Sequence, residues 1–158
     1  MTARAGYTAR MPAASSRPQT QVLPDRVVFF DGVCGFCNRA IRWLMERDPR
    51  GRLHYASLQG DTAAAVRARH AEFPDDIDTI VLLERGADGE RLQLRSDAVL
   101  RIVAEIDGAW RRLAWLRVLP RPLLDWGYRL FARYRYRLFG RLDACPTPSD
   151  AERARFVP

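Results

Sequence analysis

Lysine is absent from this 158-residue sequence, in which all 26 basic residues are arginine. Because lysine also binds phosphate well, its complete absence indicates a general compositional bias more than selection for an acidic partner. The net charge of +7 therefore gives little support to nucleic-acid binding, although it still favours contact with anionic surfaces.

Cysteine and long apolar segments are also scarce. Three cysteines are too few, and odd in number, for a scaffold held together by disulfides. No run of about eighteen uncharged apolar residues occurs, so the sequence predicts no ordinary membrane-spanning helix. By contrast, 47% of the residues are hydrophobic and 28% are charged, which is typical of one folded domain with a buried core.

The two ends of the chain differ from its middle. Residues 1–24 contain no acidic residue and show no hydrophobic periodicity, so we predict a disordered N-terminal extension. This extension lacks the apolar centre of a secretory signal, which favours a cytoplasmic location, while its arginine content also suits an organelle transit peptide. We predict a folded domain over residues 25–146, with C-terminal helices from about residue 110, and a tail over residues 147–158.

The patterned region begins with residues 27–30, an apolar run without alternation that predicts a strand buried on both faces. A helical stripe from Phe36 to Met45 follows and ends before Pro49. Further strand patterns lie at 53–56, 79–83 and 91–94, and further helix patterns at 61–71 and 96–106. An Asp-Gly pair between the last two strands predicts a hairpin, and Ser96 is expected to cap the following helix.

These patterns give the element order β-α-β-α-β-β-α. A parallel βαβ unit followed by a hairpin and a helix predicts an α/β fold with a mixed four-stranded sheet and helices on both faces, which is the thioredoxin topology. A C-terminal helical extension follows over residues 110–142, rich in arginine and aromatic residues and broken near Pro120 and Pro122.

The residues that carry chemistry form the run DGVCGFC over residues 31–37, where the first strand gives way to the first helix. Two cysteines with this spacing at a helix start lie one turn apart, within reach of a disulfide. The free N–H groups and the positive dipole at a helix N-terminus stabilise a thiolate. We therefore predict Cys34 as the exposed nucleophile and Cys37 as the deeper, resolving sulfur, in a reaction that needs no cofactor and no metal.

Asp31, three residues before Cys34, is open to two interpretations. Its carboxylate can accept hydrogen bonds from N–H groups of the loop and so act as a cap. Alternatively, it can act as a general base that removes the proton of Cys37 before that sulfur attacks a mixed disulfide.

The sequence resembles the thiol-disulfide oxidoreductase DCC family, named for its Asp-x-x-Cys-x-x-Cys signature. Three ordered blocks carry the resemblance: FDGVCGFCN at 30–38, RSDA at 95–98, and RYRLFGR at 135–141, which leads to Cys145-Pro146. The resemblance spans about residues 26–146 and implies a thioredoxin-like redox protein that acts on a disulfide-containing protein or small molecule, with an unknown electron donor. Where thioredoxins carry a tryptophan and a cis-proline, this sequence has Val33 and Asp78-Thr79, so partner docking should differ and Thr79 becomes a candidate to face the dithiol.

Two further interpretations remain open. In one, a zinc site combines Cys34 and Cys37 with Cys145 and His54, although neither His54 nor His70 shows a metal-ligand spacing. In this case Cys145 is a ligand; otherwise it is a packing residue or a third redox partner.

In the other interpretation, the basic and aromatic segment 110–141 is a binding module for an anionic membrane or a protein partner, and the dithiol is structural. Nucleic acid is not an expected partner. A helical stripe instead favours packing of this segment onto the sheet. The stripe comprises Leu116, Leu119, Leu123, Leu124, Tyr128, Phe131 and Leu138.

Overall fold

The computed structural model describes residues 23–75, 79–142 and 148–158. The predicted order of strands and helices is confirmed, with helix α2 shorter than its sequence pattern. The elements are β1 Arg26–Phe30, α1 Gly35–Arg47, β2 His54–Ser57, α2 Asp61–Arg67, β3 Val81–Gly86, β4 Gly89–Leu94, α3 Arg95–Glu105, a 3-10 helix Ala109–Val118, α4 Arg121–Phe139 and α5 Asp150–Arg153.

The four strands form one mixed sheet in the order β2-β1-β3-β4. Strand β1 pairs in parallel with β2 and antiparallel with β3, so the first helix crosses over between neighbouring parallel strands. Strands β3 and β4 form the predicted antiparallel hairpin, in which Gly86 pairs with Gly89 across a two-residue turn. Gly89 has a φ of +105°, a left-handed conformation that glycine adopts without a steric penalty.

The strand β1 lies at the centre of two apolar layers, as its unbroken apolar pattern predicts. Val27 and Phe29 belong to the layer beneath α2, whereas Val28 and Phe30 belong to the layer beneath α1 and α3. None of these four side chains is more than 2% exposed. Helices therefore cover both faces of the sheet, and the architecture is the expected thioredoxin-like one.

The 3-10 helix and α4 extend this fold along α1 and α3. The chain breaks between them at Pro120, which caps α4, with Pro122 in the first turn of the helix. The predicted apolar stripe does not pack as a whole onto the body, because Leu123 is 54% exposed and Leu138 is 69% exposed. Helix α4 instead turns the side of Leu124 and Tyr128 towards the body, which leaves the other two leucines facing outwards.

Ser96 does not cap α3, contrary to the prediction. The helix begins one residue earlier, with Leu94 at the N-cap position and no side-chain cap. The Ser96 hydroxyl instead donates a hydrogen bond to a carboxylate oxygen of Asp125 on α4, at 2.5 Å. This contact joins the C-terminal extension to the body.

The expected tail, residues 147–158, packs against the body over its described part, 148–158. The N–H of Tyr55 on β2 donates to the carbonyl of Arg155, and the N–H of Val157 donates to the carbonyl of Tyr55, both at 2.8 Å. Arg155 also pairs with the buried Asp48 at 2.5 Å. Of the predicted N-terminal extension, only residues 23 and 24 are described, and Leu23 is buried in the core.

Candidate active site

The two cysteines lie at the predicted junction between strand and helix. Cys34 is the N-cap residue of α1, and its Sγ accepts a hydrogen bond from the N–H of Cys37 at 3.3 Å. Both cysteines are free thiols. The Asn38 amide donates to the carbonyls of Gly32 at 2.7 Å and of Cys34 at 3.0 Å, which holds the loop before the helix closed. The fold thus places both sulfurs on one turn of α1.

The order of exposure of the two cysteines is the reverse of the one expected from the sequence. Cys34 is fully buried, whereas Cys37 is partly exposed. Burial of Cys34 follows from the backbone after α4, which pairs with Cys34 through Arg141 as an isolated antiparallel bridge. The N–H of Leu142 donates to the carbonyl of Val33 at 2.7 Å, so the chain crosses directly over the dithiol loop.

Gly35 permits this close approach of two backbones. Its N–H donates to the carbonyl of Gly140 at 3.4 Å, and a Cβ at position 35 would lie 2.7 Å from the carbonyl oxygen of Phe139. The side chain of Phe36 reinforces the contact, because its ring lies 4.8 Å from that of Phe131 and 4.9 Å from that of Phe139. The end of α4 is therefore locked against the start of α1 by backbone contacts and by packed rings.

Asp31 is buried and accepts four hydrogen bonds from residues that the structure describes. One oxygen accepts from the Val33 N–H at 3.1 Å and from the Gln59 amide at 3.0 Å. The other accepts from Arg135 at 3.1 Å and from the Tyr136 hydroxyl. The contact with Val33 is the one expected of a cap. Among the described residues, neither Cys34 nor Cys37 donates a hydrogen bond to the carboxylate, although its charge acts on Cys37, and the general-base interpretation stays a prediction.

Arg135 and Tyr136 are the site residues that the sequence analysis missed. Their sequence block carries part of the family resemblance, but Asp31 and Arg135 are 104 residues apart, and the sequence gives no sign that they are in contact. A local sign that Arg135 is buried does exist, because Arg135 continues the body-facing stripe of α4 through Tyr128 and Phe131, where an apolar side chain is expected. A charge in such a position requires a buried partner of opposite sign.

The surroundings determine which protonation states are favoured. Burial, followed by the hydrogen bond with Cys34, raises the pKa of the Cys37 thiol well above its ordinary value of 9.0, although the nearby positive charge of Arg135 acts in the opposite direction. Burial and the hydrogen bond to Asp31 raise the pKa of Tyr136 to about 12. Both groups therefore keep their protons near neutral pH.

A cavity of about 320 Å³ opens beside Cys37, between α1, α3 and α4. Its walls are mostly apolar, and Asp31 and Arg135 lie at its polar part. Cys37 lines this cavity and Cys34 does not. Thr79, expected to face the dithiol, is buried and lines the same cavity. The remaining lining residues are Phe30, Phe36, Ala40, Ile41, Leu44, Ile80, Val99, Tyr128 and Phe131.

The residues proposed for zinc do not come together in the described part of the chain. No group of three or more His, Cys, Asp or Glu residues suited to a metal ion occurs there. Cys145 lies outside the described residues, so its role stays a prediction. Burial lowers the pKa of His54 on β2, and His70 is bonded to Glu90 at 2.8 Å.

Comparison with known proteins agrees with this site. Residues 28–141 match the family of DCC1-like thiol-disulfide oxidoreductases. The chain is 32% identical to the uncharacterized protein YuxK of Bacillus subtilis (strain 168), over 88% of this chain and 98% of that one. It is 33% identical to the DCC family protein At1g52590, chloroplastic, of Arabidopsis thaliana, over 75% of this chain and 67% of that one. No solved structure matches the chain significantly. The chain therefore belongs to the DCC1-like thiol-disulfide oxidoreductase family.

Proposed function

We propose that the protein catalyses thiol-disulfide exchange through Cys34 and Cys37. The observation that carries the proposal is the position of both sulfurs on the first turn of α1, where the Cys34 Sγ accepts the Cys37 N–H. A hydrogen bond of this kind stabilises negative charge on sulfur. The buried guanidinium of Arg135 supplies a positive charge that acts on both cysteines.

In this mechanism Cys37 is the sulfur to which the substrate becomes attached, and Cys34 is its enclosed partner. Exchange requires the attacking sulfur to approach a disulfide sulfur directly. The cavity gives such access to Cys37, whereas Cys34 lies beneath residues 140–142. The apolar walls favour substrates with an apolar group beside their sulfur. These roles reverse the order expected from the sequence.

The reaction is described most simply from the oxidised protein, in which Cys34 and Cys37 form a disulfide. A substrate thiolate attacks the Cys37 sulfur; the bond to Cys34 breaks, and Cys34 leaves as a thiolate. A second substrate thiolate then attacks the substrate sulfur of the mixed disulfide and releases Cys37, which takes up a proton. The substrate loses two electrons, and the protein disulfide gains them. The reverse sequence reduces a substrate disulfide.

The environments of the two sulfurs affect these steps differently. The Cys37 N–H and the positive charge of Arg135 are placed to offset the negative charge that the Cys34 sulfur gains when it leaves. The raised pKa of Cys37 makes it the poorer leaving group of the two, so release of the substrate from Cys37 is the slower step, and the released sulfur then takes up a proton. Asp31 is a positioning residue that holds Arg135 beside the sulfurs through the ion pair of 3.1 Å.

A redox titration tests this proposal. The full chain carrying Cys145→Ser is equilibrated in glutathione buffers of graded potential, and free thiols are counted by alkylation and mass spectrometry. We expect one reversible two-electron transition, which disappears in the matched Cys34→Ser and Cys37→Ser proteins. Failure to form a reversible intramolecular disulfide while the protein stays folded would overturn the proposal.

A further inference from the structure

The outer face of the C-terminal extension concentrates the exposed apolar surface of the protein. Within the described residues, every exposed large hydrophobic side chain lies between Trp110 and Leu142. Three of the four tryptophans are among them, with Trp115 64% exposed and Trp126 61% exposed. Such a concentration of exposed large apolar side chains in one segment is typical of a binding surface.

Five residues of α4 form an apolar stripe on this face. They are spaced by three or four positions, which places them on one side of the helix, centred about a third of a turn from the buried Arg135. The stripe comprises Leu123, Trp126, Leu130, Tyr134 and Leu138, and all five are exposed. Helix α4 thus uses one side to complete the dithiol site, and its other side has no packing partner among the residues that the structure describes.

The charge around the stripe is almost entirely positive. Residues 109–142 contain nine arginines and a single acidic residue, Asp125, which accepts a hydrogen bond from Ser96. Arg129, Arg133 and Arg137 are exposed and follow one another at intervals of four, so they form a row along one side of the stripe. An apolar stripe bordered by arginines and containing a tryptophan is the pattern of a helix that lies in a membrane interface.

We propose that the outer face of α4 docks onto the surface of an anionic lipid bilayer, with the helix in the plane of the interface. Arg121 and Arg135 have acidic partners within the protein, and acidic headgroups would supply negative charge opposite the row of Arg129, Arg133 and Arg137. The leucines and Trp126 bury their apolar surface at the boundary between headgroups and acyl chains. No described helix is long and apolar enough to cross a membrane.

Two other occupants of this face agree less well with its chemistry. A second copy of the chain would bring two arginine rows together, and between positions 109 and 142 each copy has a single acidic residue, Asp125, to offset them. Nucleic acid could stack bases on Trp126 and Tyr134, but Leu123, Leu130 and Leu138, which make up the rest of the stripe, offer neither rings nor hydrogen-bond donors. An anionic bilayer satisfies both the charge and the apolar centre.

Vesicle co-sedimentation of the full chain tests this proposal. We expect binding to vesicles of phosphatidylglycerol and phosphatidylcholine, loss of binding to pure phosphatidylcholine, and weaker binding as salt rises. Each arginine near an anionic surface contributes about fivefold to binding, so Arg133→Glu with Arg137→Glu should weaken it at least about tenfold. The matched control reverses Arg91 and Arg153, two exposed arginines elsewhere, and should change binding far less.

The apolar contribution needs its own variant. Leu130→Ser should weaken vesicle binding and should leave the circular-dichroism spectrum and the redox titration unchanged. Absence of vesicle binding, or equal losses in both charge-reversed pairs, would overturn the proposal. Self-association or RNA binding abolished by Leu130→Ser, without vesicle binding, would assign the face to a different occupant and would also overturn it. None of these outcomes affects the proposed dithiol chemistry.

Discussion

The body of the protein and its C-terminal segment, residues 109–142, distribute their apolar residues in opposite ways. Within the described residues, all buried hydrophobic side chains lie between Leu23 and Ile106, and all exposed large ones lie between Trp110 and Leu142. In the C-terminal segment the only buried side chain is that of Arg135. The segment is therefore held in place by a buried ion pair, packed rings and backbone contacts, not by an apolar core of its own.

This contrast shows what the C-terminal segment contributes. A buried ion pair adds little net stability, because desolvation offsets the attraction, but removing one partner is costly. The pair between Asp31 and Arg135 therefore selects one arrangement of the segment over the dithiol. The same segment closes over Cys34 and forms one wall of the cavity at Cys37.

Removing the buried arginine should have the largest effect on stability. Arg135→Ala leaves the Asp31 carboxylate buried without its ion pair, and we expect a loss of about 3–5 kcal/mol in the free energy of unfolding. The exposed neighbour Arg133→Ala should stay within about 0.5 kcal/mol of the wild type. Urea titration measures both. A loss below about 1 kcal/mol for Arg135→Ala would show that the pair does not hold the segment.

The next largest difference in the free energy of unfolding is expected between a buried and an exposed aliphatic side chain. Ile102→Ala in α3 removes a side chain that is 2% exposed and should cost about 2–5 kcal/mol. Leu138→Ala in α4, which is 69% exposed, should cost less than about 0.5 kcal/mol. Similar losses for both variants, measured by urea titration, would mean that the outer stripe is covered in solution.

Gly35→Ala is expected to have an intermediate effect. The added Cβ would lie 2.7 Å from the Phe139 carbonyl, so the end of α4 must shift, at a cost of about 1–3 kcal/mol. The shift should also speed alkylation of Cys34. Gly127→Ala is the matched control in α4: apart from its own stretch of helix, no described residue has an atom within 4 Å of the new Cβ, and the substitution should stabilise the helix by up to about 1 kcal/mol. An unchanged alkylation rate in Gly35→Ala would contradict the proposed cover.

The smallest expected effect comes from the ionisation of Cys37, which the pH dependence of its alkylation measures. Because burial is the main cause of its raised pKa, the Cys37 thiol in a Cys34→Ser, Cys145→Ser protein should react slowly near neutral pH. The rate should still increase about tenfold per pH unit beyond the ordinary pKa of 9.0, since the thiolate is the reactive form. In denaturant, the alkylation rate of the same protein should stop rising near pH 9.0. A rate that stops rising at the same pH in the folded protein would contradict the expectation.

The sign of the linked stability change follows from the same shift. The folded state favours the neutral thiol, so its contribution to stability is complete below pH 9.0. Above pH 9.0 the Cys37 thiol ionises in the unfolded protein before it ionises in the folded protein. Its contribution to stability therefore declines as the pH rises towards the pKa of the folded state. Urea titrations across this range, with Cys37→Ser as the control, measure the decline.

Most of the fold was accessible from sequence because its signals are local. The buried strand β1 has an unbroken apolar run, the hairpin has an Asp-Gly pair, and the cysteines follow the strand directly. The cap contact of Asp31 likewise lies within three residues of the strand. Such features need no knowledge of how distant segments meet.

The remaining features depend on tertiary contacts that periodicity does not encode. Helix α4 has apolar residues on two sides, so its pattern does not show which side faces the body. The contact between Arg135 and Asp31, which are 104 residues apart, determines which side of the helix faces the body. The burial of Cys34 beneath residues 140–142 and the docking of Val157 on β2 have the same origin, since both are backbone contacts between distant segments.

The identity of the substrate-linked sulfur is the most direct test of the proposed site. Folded Cys34→Ser and Cys37→Ser proteins, both carrying Cys145→Ser, are treated with the apolar reagent 2,2′-dithiodipyridine, and mixed disulfides are followed by mass spectrometry. We expect the protein that retains Cys37 to form a mixed disulfide, and the protein that retains Cys34 to react only after unfolding. Faster labelling of the folded protein that retains Cys34 would contradict the assignment and restore Cys34 as the sulfur that meets the substrate.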